Sequence, residues 1–418
     1  MTAARPATDP GLLFALPNLW ADMDAWHREV REIRRSTAVL PVELEGFEPF
    51  WVLTRHADVL RVSRDNENWV NTSRSVLGPE EDWQRMLAAG IPAPRTLVHL
   101  DGTEHRDHRK VTNDWFKPAA VRHRQPRIDA IADHFVGRMR DLGGECDFAR
   151  DIAQPYTLRV IMDIYGVPEE DEPLMMELTQ GLFGAADPEF MGDAADPEAR
   201  LIQSVMQFIQ YFNDITADRR QHPTDDLATL IALGEPGGCP MGDAERLWYY
   251  IIVATAGHDT TSYALSGGLE ALLRDPDQLW LLRDDPELGV NAADECIRWT
   301  SPVRHFLRYS VDGAEVAGVK IPKDGRVLLS YPSANRDEEA FSEPMRFDLR
   351  RPDADRLISF GGGAHFCLGS QFARREVRTM LVKLAEQLRS IEPAGPAQWS
   401  ESAFVSGVKH LPVRYSFR

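Results

Sequence analysis

A glycine-rich loop that ends in a cysteine is the stretch of this 418-residue chain best suited to chemistry. It runs from Phe360 to Gly369, and apolar residues at helical spacing follow it to about Arg389. Cys367 is therefore predicted at a helix N-terminus, where the helix dipole and unpaired backbone N–H groups favour thiolate over thiol. The loop's glycines (361, 362, 363 and 369) permit left-handed backbone angles and close approach to a flat ligand. A thiolate so placed is suited to binding a metal.

Two other interpretations of the loop stay open from these residues alone. A single cysteine after glycines is often a small buried apolar residue. A glycine-rich turn before a helix can also cradle phosphate. This loop, however, lacks the lysine of a P-loop, and its glycines do not have the spacing of a dinucleotide-binding fingerprint.

A basic pair precedes this loop in the sequence. His105 and Arg109 are four residues apart in a segment predicted to be helical from Asp101 to about Phe116. They therefore share one helix face and could bind one anionic group together. From the pair alone, a second interpretation remains open, in which the two residues simply form a basic helix face in contact with solvent.

The longest helical pattern, about Gly242 to Asp275, carries polar residues in its middle. The run from Ala256 to Thr261 places a glycine, Asp259 and the hydroxyl of Thr260 in an otherwise apolar interior, where each is locally unfavourable. Such conflict is typical of a functional site. Thr260 is predicted to donate a hydrogen bond to a carbonyl one turn back, loosening the helix at Gly257. The alternative is a threonine that only bonds its own helix, with Asp259 in a surface salt bridge.

Together these segments resemble the cytochrome P-450 superfamily. The loop matches its haem-binding pattern at Phe360, Gly363, Cys367 and Gly369, and the polar run from Ala256 to Thr260 matches the acid–alcohol motif of its central helix. Glu295 and Arg298 match a third signature, Glu-x-x-Arg, and His105 with Arg109 matches a haem-side pair. The resemblance implies a mainly α fold with small β-sheets, a triangular helical prism holding haem between the central helix and the helix after the cysteine. A single domain over residues 1–418, with a β-rich part at about 36–60, is expected.

The resemblance also assigns roles to residues. Cys367 would be the axial ligand of the iron of haem b, Asp259 would relay protons, and Thr260 would hydrogen-bond to the oxygen being activated. Residues expected to contact the cofactor are His105, Arg109, Ala256, Arg308, Phe360, Gly361, His365, Cys367 and Gly369. Residues expected to border the substrate are Ile252, Thr255, Ala256, Val303, His305, Phe306, Phe404 and Val405. Glu295, Arg298 and Arg346 would form a buried network that supports the cysteine loop.

The implied reaction is monooxygenation. One oxygen atom from O2 would hydroxylate or epoxidise a hydrophobic small molecule, a terpenoid or steroid among the candidates, with two electrons from a partner. The segment from Ala254 to Ser262 is similar to that of bacterial terpene hydroxylases. A peroxide-driven haem-thiolate enzyme is one alternative, although it would not need the acid–alcohol pair. A non-catalytic haem-binding protein is another, although the sequence shows no appended module.

Composition limits the partners. The formal charge of −18 argues against nucleic-acid binding, and the four cysteines form no Cys-x-x-Cys pair. No signal peptide or membrane anchor is evident, so a monomer in the bacterial cytoplasm is expected. Electrons would come from a ferredoxin or flavodoxin with its NAD(P)H-dependent reductase. Its predicted landing surface is basic: Arg106, Arg109, Lys110, Lys117, Arg122, Arg124, Arg374 and Arg375.

Periodicity predicts the remaining elements. Helices are expected at 20–35, 56–64, 126–142, 154–165, 172–183, 198–220 and 227–233, with strands at 38–44 and 50–54. The segment Gly184–Asp196, rich in Ala, Asp, Pro and Gly, is predicted to be a mobile lid.

Overall fold

The computed structural model describes residues 9–72, 74–88, 90, 93–183, 189 and 197–418. The predicted lid at 184–196 therefore lies, apart from Glu189, outside the described residues.

Helices dominate the described chain. They are α1 (Leu12–Ala15), α2 (Met23–Ser36), α3 (His56–Arg64), α4 (Glu80–Ala88), α5 (Gly102–Asn113), α6 (Pro118–His123), α7 (Gln125–Asp141), α8 (Gln154–Tyr165), α9 (Glu172–Phe183), α10 (Pro197–Gln221), α11 (Leu227–Ala232), α12 (Asp243–Arg274), α13 (Pro276–Asp284), α14 (Gly289–Thr300), α15 (Tyr331–Ala334) and α16 (Ser370–Gln387). A π-helical turn, Phe148–Ala153, leads into α8.

Strands form small sheets. They are β1 (Val39–Val42), β2 (Phe50–Leu53), β3 (Trp69–Val70), β4 (Glu145–Asp147), β5 (His305–Ser310), β6 (Ala314–Val316), β7 (Val319–Ile321), β8 (Arg326–Ser330), β9 (Leu388–Pro393), β10 (Gln398–Trp399), β11 (Val408–His410) and β12 (Pro412–Phe417). The largest described sheet has the order β1-β2-β8-β5-β3, with β2 and β8 parallel. A second sheet has the order β4-β12-β9, and two hairpins complete the set.

The long helix α12 is the centre of the helical part. Its 32 residues span about 48 Å, and most of them are buried. A helix that is apolar on nearly all faces must be surrounded by other elements. Accordingly, α12 packs against α8, α14 and α16. This packing brings α12 against α16, the helix that follows the cysteine loop.

The predicted helices agree with these bounds to within a few residues. The first begins later than expected, because the 3₁₀ turn Pro17–Ala21 precedes α2. The helix after the cysteine loop begins at Ser370 rather than Leu368. Among the described residues, no helix combines the length and apolar character that crossing a membrane requires.

Candidate active site

The cysteine loop is a closed turn held by its own backbone. The N–H of Cys367 donates to the carbonyl of Phe360 at 2.8 Å, and the N–H of Gly361 donates to Ile358 at 2.9 Å. Phe360 is buried, and the Arg374 guanidinium lies 4.6 Å from the centroid of its ring. These contacts fix the position of Cys367 three residues before α16 begins.

Two of the loop's glycines are required by the backbone. Gly361 and Gly363 have φ values of +69° and +66°, and a Cβ on Gly363 would lie 2.5 Å from the carbonyl oxygen of Ser63. The other two do not use left-handed angles as predicted, since φ is −154° at Gly362 and −80° at Gly369. A Cβ on Gly369 would meet no protein atom within 4 Å, so this side of the loop can accept a flat group closely.

The sulfur of Cys367 lies deep in the protein. Cys367, Phe366 and Ala256 all keep accessible surface. Because Cys367 is fully surrounded by protein and still has accessible surface, it borders an internal space. Burial raises the pKa of the Cys367 thiol, although the N–H groups of Gly369 and Ser370 and the nearby arginines oppose the rise. The N–H groups and arginines thus favour the thiolate, burial opposes it, and the positive charge of a bound metal would favour it further.

Two histidines stack beside the loop. The ring centroids of His105 and His365 are 4.3 Å apart. The amide of Asn71 donates to Nδ1 of His365 at 3.3 Å, so Nε2 carries the proton and donates to Asp101 at 3.3 Å. Burial lowers the pKa of both histidines, that of His105 to about 4. Both rings are therefore neutral hydrogen-bonding groups at pH 7.

Two arginines complete a set of cationic and polar donors around the loop. Arg109 donates to the carbonyl of Phe366 at 2.7 Å, and Arg308 is 3% exposed with its guanidinium donating to the Leu307 carbonyl at 2.9 Å. Among the described residues, no carboxylate forms an ion pair with Arg109 or Arg308. Buried cations require anionic partners. One sulfur ligand together with these donors fits haem b, a metal macrocycle with two carboxylates.

Thr260 and Gly257 shape the middle of α12. The Thr260 hydroxyl donates to the Ala256 carbonyl at 2.8 Å, as predicted. The helix nevertheless continues unbroken from Asp243 to Arg274. A Cβ on Gly257 would lie 2.9 Å from Ile161 of α8, so this glycine permits close helix packing rather than a break.

Asp259 is buried and does not form a surface salt bridge. Burial raises the pKa of its carboxyl group, and the neighbouring His258 opposes that rise. Its Oδ1 lies 3.1 Å from Nδ1 of His258, whose side chain is fully buried. The acid of this motif is therefore held inside the protein next to a second titratable group.

The Glu295–Arg298 pair is fully buried, but its third member is not Arg346. Arg298 donates to both Glu295 oxygens, at 2.6 and 2.8 Å, and Arg351 Nε donates to Oε2 at 3.1 Å. Arg346 is 61% exposed and faces Glu343. The backbone turns at Glu343, where φ is +44°, and directs the Arg346 side chain outward. The predicted role of Arg346 is therefore wrong, although its carbonyl accepts from Arg298.

Asn335 connects this network to the cysteine loop. Arg298 donates to the Asn335 carbonyl at 2.7 Å, and the Asn335 amide donates to the Ser359 hydroxyl at 2.7 Å. Its side-chain oxygen accepts from the N–H of Ile358 at 2.8 Å. Since Ile358 and Ser359 immediately precede Phe360, the ion pair supports the base of the loop.

Apolar side chains from two segments meet where the substrate is expected. Val303 pairs with Val405 in a β-bridge, and the Arg304 N–H donates to the Phe404 carbonyl at 2.8 Å. The rings of Phe306 and Phe404 lie edge to face with centroids 5.4 Å apart. These four apolar residues and Ile252 all keep partial exposure.

Two predicted lining residues lie behind this surface. The Thr255 hydroxyl donates to the Ile251 carbonyl at 2.6 Å, and the side chain is 2% exposed. His305 is 1% exposed, and its Nε2 accepts from the N–H of Leu77 at 3.0 Å. The prediction that these two side chains line the pocket is therefore corrected.

The sequence analysis also missed Asn71, Leu77, Asp101 and Arg351, since no local pattern marks partners so distant in sequence.

Comparison with known proteins identifies similar chains. The family model described as Cytochrome P450 matches residues 290–403. Cytochrome P450-terp from a Pseudomonas species is 38% identical over 96% of this chain and 96% of its own length. Steroid C26-monooxygenase from Rhodococcus jostii is 30% identical over 99% of this chain and 86% of its own. The crystal structure of CYP108D1 from Novosphingobium aromaticivorans superposes with a TM-score of 0.91 at 36% identity, covering 98% of each chain.

Proposed function

The chain belongs to the cytochrome P450 family and is a haem b monooxygenase, and from this premise we propose how its own residues serve that reaction. The observation that carries the proposal is the environment of Cys367. The backbone N–H groups of Gly369 and Ser370 and the cations Arg109 and Arg374 all lower the pKa of its thiol against the effect of burial. We propose Cys367 as the iron ligand.

When bound, the haem activates O2 so that one oxygen atom can be inserted into the substrate. The protein's part begins with holding that group. Arg109 and Arg308 are buried or half-buried cations without paired carboxylates among the described residues, so they are suited to the two carboxylates of haem b. His105 can supply a neutral N–H donor beside them, and it lies against the ring of His365, whose Nε2–H is already bonded to Asp101.

The residues in the middle of α12 are suited to proton transfer. The Thr260 hydroxyl bonds the Ala256 carbonyl, and this keeps its oxygen in place while leaving its lone pairs able to accept a further hydrogen bond. Burial raises the pKa of the Asp259 carboxyl group, so it holds a proton more readily than an exposed aspartate does. We propose that Asp259 supplies protons and that Thr260 positions their acceptor.

The proposed substrate is a terpenoid. The border formed by Val303, Phe306, Phe404 and Val405 is apolar and aromatic, which favours a hydrophobic molecule with few polar groups. Of the relatives compared above, Cytochrome P450-terp is more similar to this chain than the steroid C26-monooxygenase is. A terpenoid is therefore preferred over a steroid.

The proposed electron donor is a ferredoxin with its NAD(P)H-dependent reductase. Arg106 and Arg122 are exposed on α5, whose Arg109 bonds the cysteine loop, and on α6, which packs against α16. The four cysteines are free thiols, which supports a reducing cytoplasmic setting. We further propose a monomer in which residues 1–418 form one domain.

The test of the iron ligand uses the haem spectrum. Cys367→Ser should abolish the thiolate-type absorption of the reduced protein with carbon monoxide, because a hydroxyl does not replace the sulfur ligand. Cys239→Ser is the matched control, since Cys239 is an exposed thiol outside the site. A thiolate spectrum that survives in Cys367→Ser would refute the assignment.

The test of substrate class is a binding titration followed by the haem absorption of the wild-type protein. A terpenoid alcohol, a steroid and a fatty acid of similar solubility are compared. The terpenoid should give the tightest saturable shift and a monooxygenated product. A steroid that binds more tightly and is turned over would replace the terpenoid as the proposed substrate.

A further inference from the structure

A histidine and two carboxylates meet where side chains of α5 reach the first turn of α12. They are Glu104 and His108 on α5 and Glu245 on α12, and none of them belongs to the proposed haem or substrate contacts. One nitrogen or oxygen atom from each residue lies within 4.8 Å of those from the other two. Among the described residues, no other three side chains with histidine, cysteine or carboxylate ligands come together in this way.

The hydrogen bonds of His108 direct its second ring nitrogen into this cluster. Nδ1 lies 2.8 Å from the carbonyl oxygen of Glu104, and because a carbonyl oxygen only accepts, Nδ1 carries a proton. Nε2 lies 2.5 Å from Oε1 of Glu245, and His108 is 5% exposed. A histidine that donates through one nitrogen to a backbone carbonyl is oriented to bind a metal through the other.

The two carboxylates face both the histidine and solvent. Oε2 of Glu245 accepts from the N–H of Gly242 at 3.1 Å, which leaves Oε1 for the cluster. Glu104 forms an ion pair with Arg95, but both side chains are exposed, and such a pair is weak. The Glu245 side chain is 30% exposed. A cation can therefore reach the cluster from solution, and water can complete its coordination.

Hydrogen bonds between the same two helices hold the cluster in position. The Tyr249 hydroxyl, one helical turn after Glu245, donates to the carbonyl of His108 at 3.0 Å. The same hydroxyl lies 2.7 Å from the hydroxyl oxygen of Thr112, and both side chains are buried. A metal site built on helices that are fixed in this way is more precise than one built on loops.

One imidazole and two carboxylates are typical ligands of a divalent transition metal. Zn2+ binds these groups at about 2.0–2.2 Å, so its tetrahedral ligands are about 3.4 Å apart. One pair of ligand atoms in the cluster is 2.5 Å apart, and no pair exceeds 4.8 Å. Side-chain shifts of about 1 Å therefore reach the required spacing. Mg2+ and Ca2+ prefer sites made of oxygen ligands alone, so the histidine argues against them.

We propose that Glu104, His108 and Glu245 bind a divalent transition metal of the zinc class, with water as the remaining ligand. Without the ion, one proton lies between Nε2 of His108 and Oε1 of Glu245, because two acceptor atoms this close repel each other. The entering ion displaces that proton to solvent, and the two carboxylates balance its charge. The bound ion joins α5 to the start of α12. The proposal does not depend on the substrate or on the electron donor.

The first test measures Zn2+ binding to the haem-loaded protein by equilibrium dialysis after treatment with EDTA. A Cys239→Ser background removes an exposed thiol that would compete for zinc. We expect one tightly bound ion per chain, and about a hundredfold weaker binding in both Glu104→Gln and His108→Gln. Because Glu104 is exposed, its variant gives the answer even if His108→Gln is unstable. His222→Gln is the matched control, since His222 is an exposed histidine that pairs with one carboxylate.

The second test identifies the ligands by X-ray absorption at the zinc edge in the same sample, where the haem iron does not interfere. Nitrogen and oxygen neighbours at about 2.0–2.2 Å, with scattering from one imidazole and no sulfur at about 2.3 Å, would support the site. Sulfur neighbours would place the zinc elsewhere and overturn the proposal. Equal affinity in Glu104→Gln and the parent protein, or no bound zinc in protein with an intact carbon monoxide spectrum, would overturn it as well.

Discussion

At the residue scale, the site depends on side chains far apart in the sequence. His365 owes its tautomer to Asn71 and Asp101, and Glu295 binds an arginine 56 positions away. Each partner is a common polar residue in a stretch without a motif. Their roles follow from their positions in the folded chain rather than from residue type. Substituting residues of the same type at different positions should therefore have different effects.

The contrast between Arg351 and Arg346 yields a prediction about stability. Arg351 is 3% exposed, binds Glu295 and donates to three backbone carbonyls, whereas Arg346 is 61% exposed. Arg351→Met should therefore lower the free energy of unfolding by about 3 kcal/mol, because a buried carboxylate loses a partner. Arg346→Met should change it by less than about 0.5 kcal/mol. Urea unfolding of both variants measures the difference, and equal effects would contradict the assignment.

A second prediction concerns Thr260. Replacing it with alanine removes the hydroxyl that bonds the Ala256 carbonyl without adding bulk. We expect oxygen consumption to continue while the share of electrons that reaches product falls severalfold, because proton delivery loses its positioned acceptor. Thr261→Ala is the matched control on the next, buried residue. Unaltered coupling in Thr260→Ala would favour a peroxide-driven enzyme.

At the scale of elements, local sequence patterns correctly predicted the positions of helices, which depend mainly on interactions close in the sequence. Helical spacing located α7, α8 and α12 within one or two residues, because each buries an apolar face. The prediction of left-handed backbone angles was also right at Gly361 and Gly363, where φ is positive. It did not indicate that Gly257 serves the packing of α8 or that Arg346 points outward, since both depend on distant segments.

The base of the C-terminal hairpin yields a prediction about pH. His410 on β11 bonds Asp147, the last residue of β4, and also Glu189. Burial lowers the pKa of His410, but these two carboxylates outweigh it and the net shift is upward. The stabilisation is therefore complete below the unfolded value of 6.5 and is lost as pH rises through the higher folded value.

His410→Gln should accordingly reduce stability by up to about 1 kcal/mol at pH 5.5 and by much less at pH 9, after allowance for the partial exposure of the ring. Thermal unfolding at both pH values measures the effect, with His123→Gln as a control on an exposed histidine that forms no ion pair among the described residues. A difference between wild type and variant that is the same at both pH values would contradict it.

At the scale of the whole molecule, charged residues are unevenly distributed. The formal charge is −18, yet basic residues collect on α5, α6 and α16 around the cysteine loop. The structure leaves fewer basic residues for the predicted docking surface, because Lys110, Lys117 and Arg374 each bind a nearby carboxylate. Arg109 is turned toward the loop. Arg106 and Arg122 are exposed and form no ion pair among the described residues, so they are the strongest candidates for contact with an acidic partner.

Reversing these two charges should slow electron transfer to the haem. We expect the double variant Arg106→Glu, Arg122→Glu to be reduced about tenfold more slowly by an acidic ferredoxin at low salt, because the charges steer encounter. Added salt should narrow the gap, since screening weakens the wild-type attraction. Lys323→Glu, an exposed reversal beside β8, is the control. Because the substituted residues lie outside the proposed haem and substrate contacts, substrate binding should not change. Equal reduction rates at every salt concentration would place the docking surface elsewhere on the molecule.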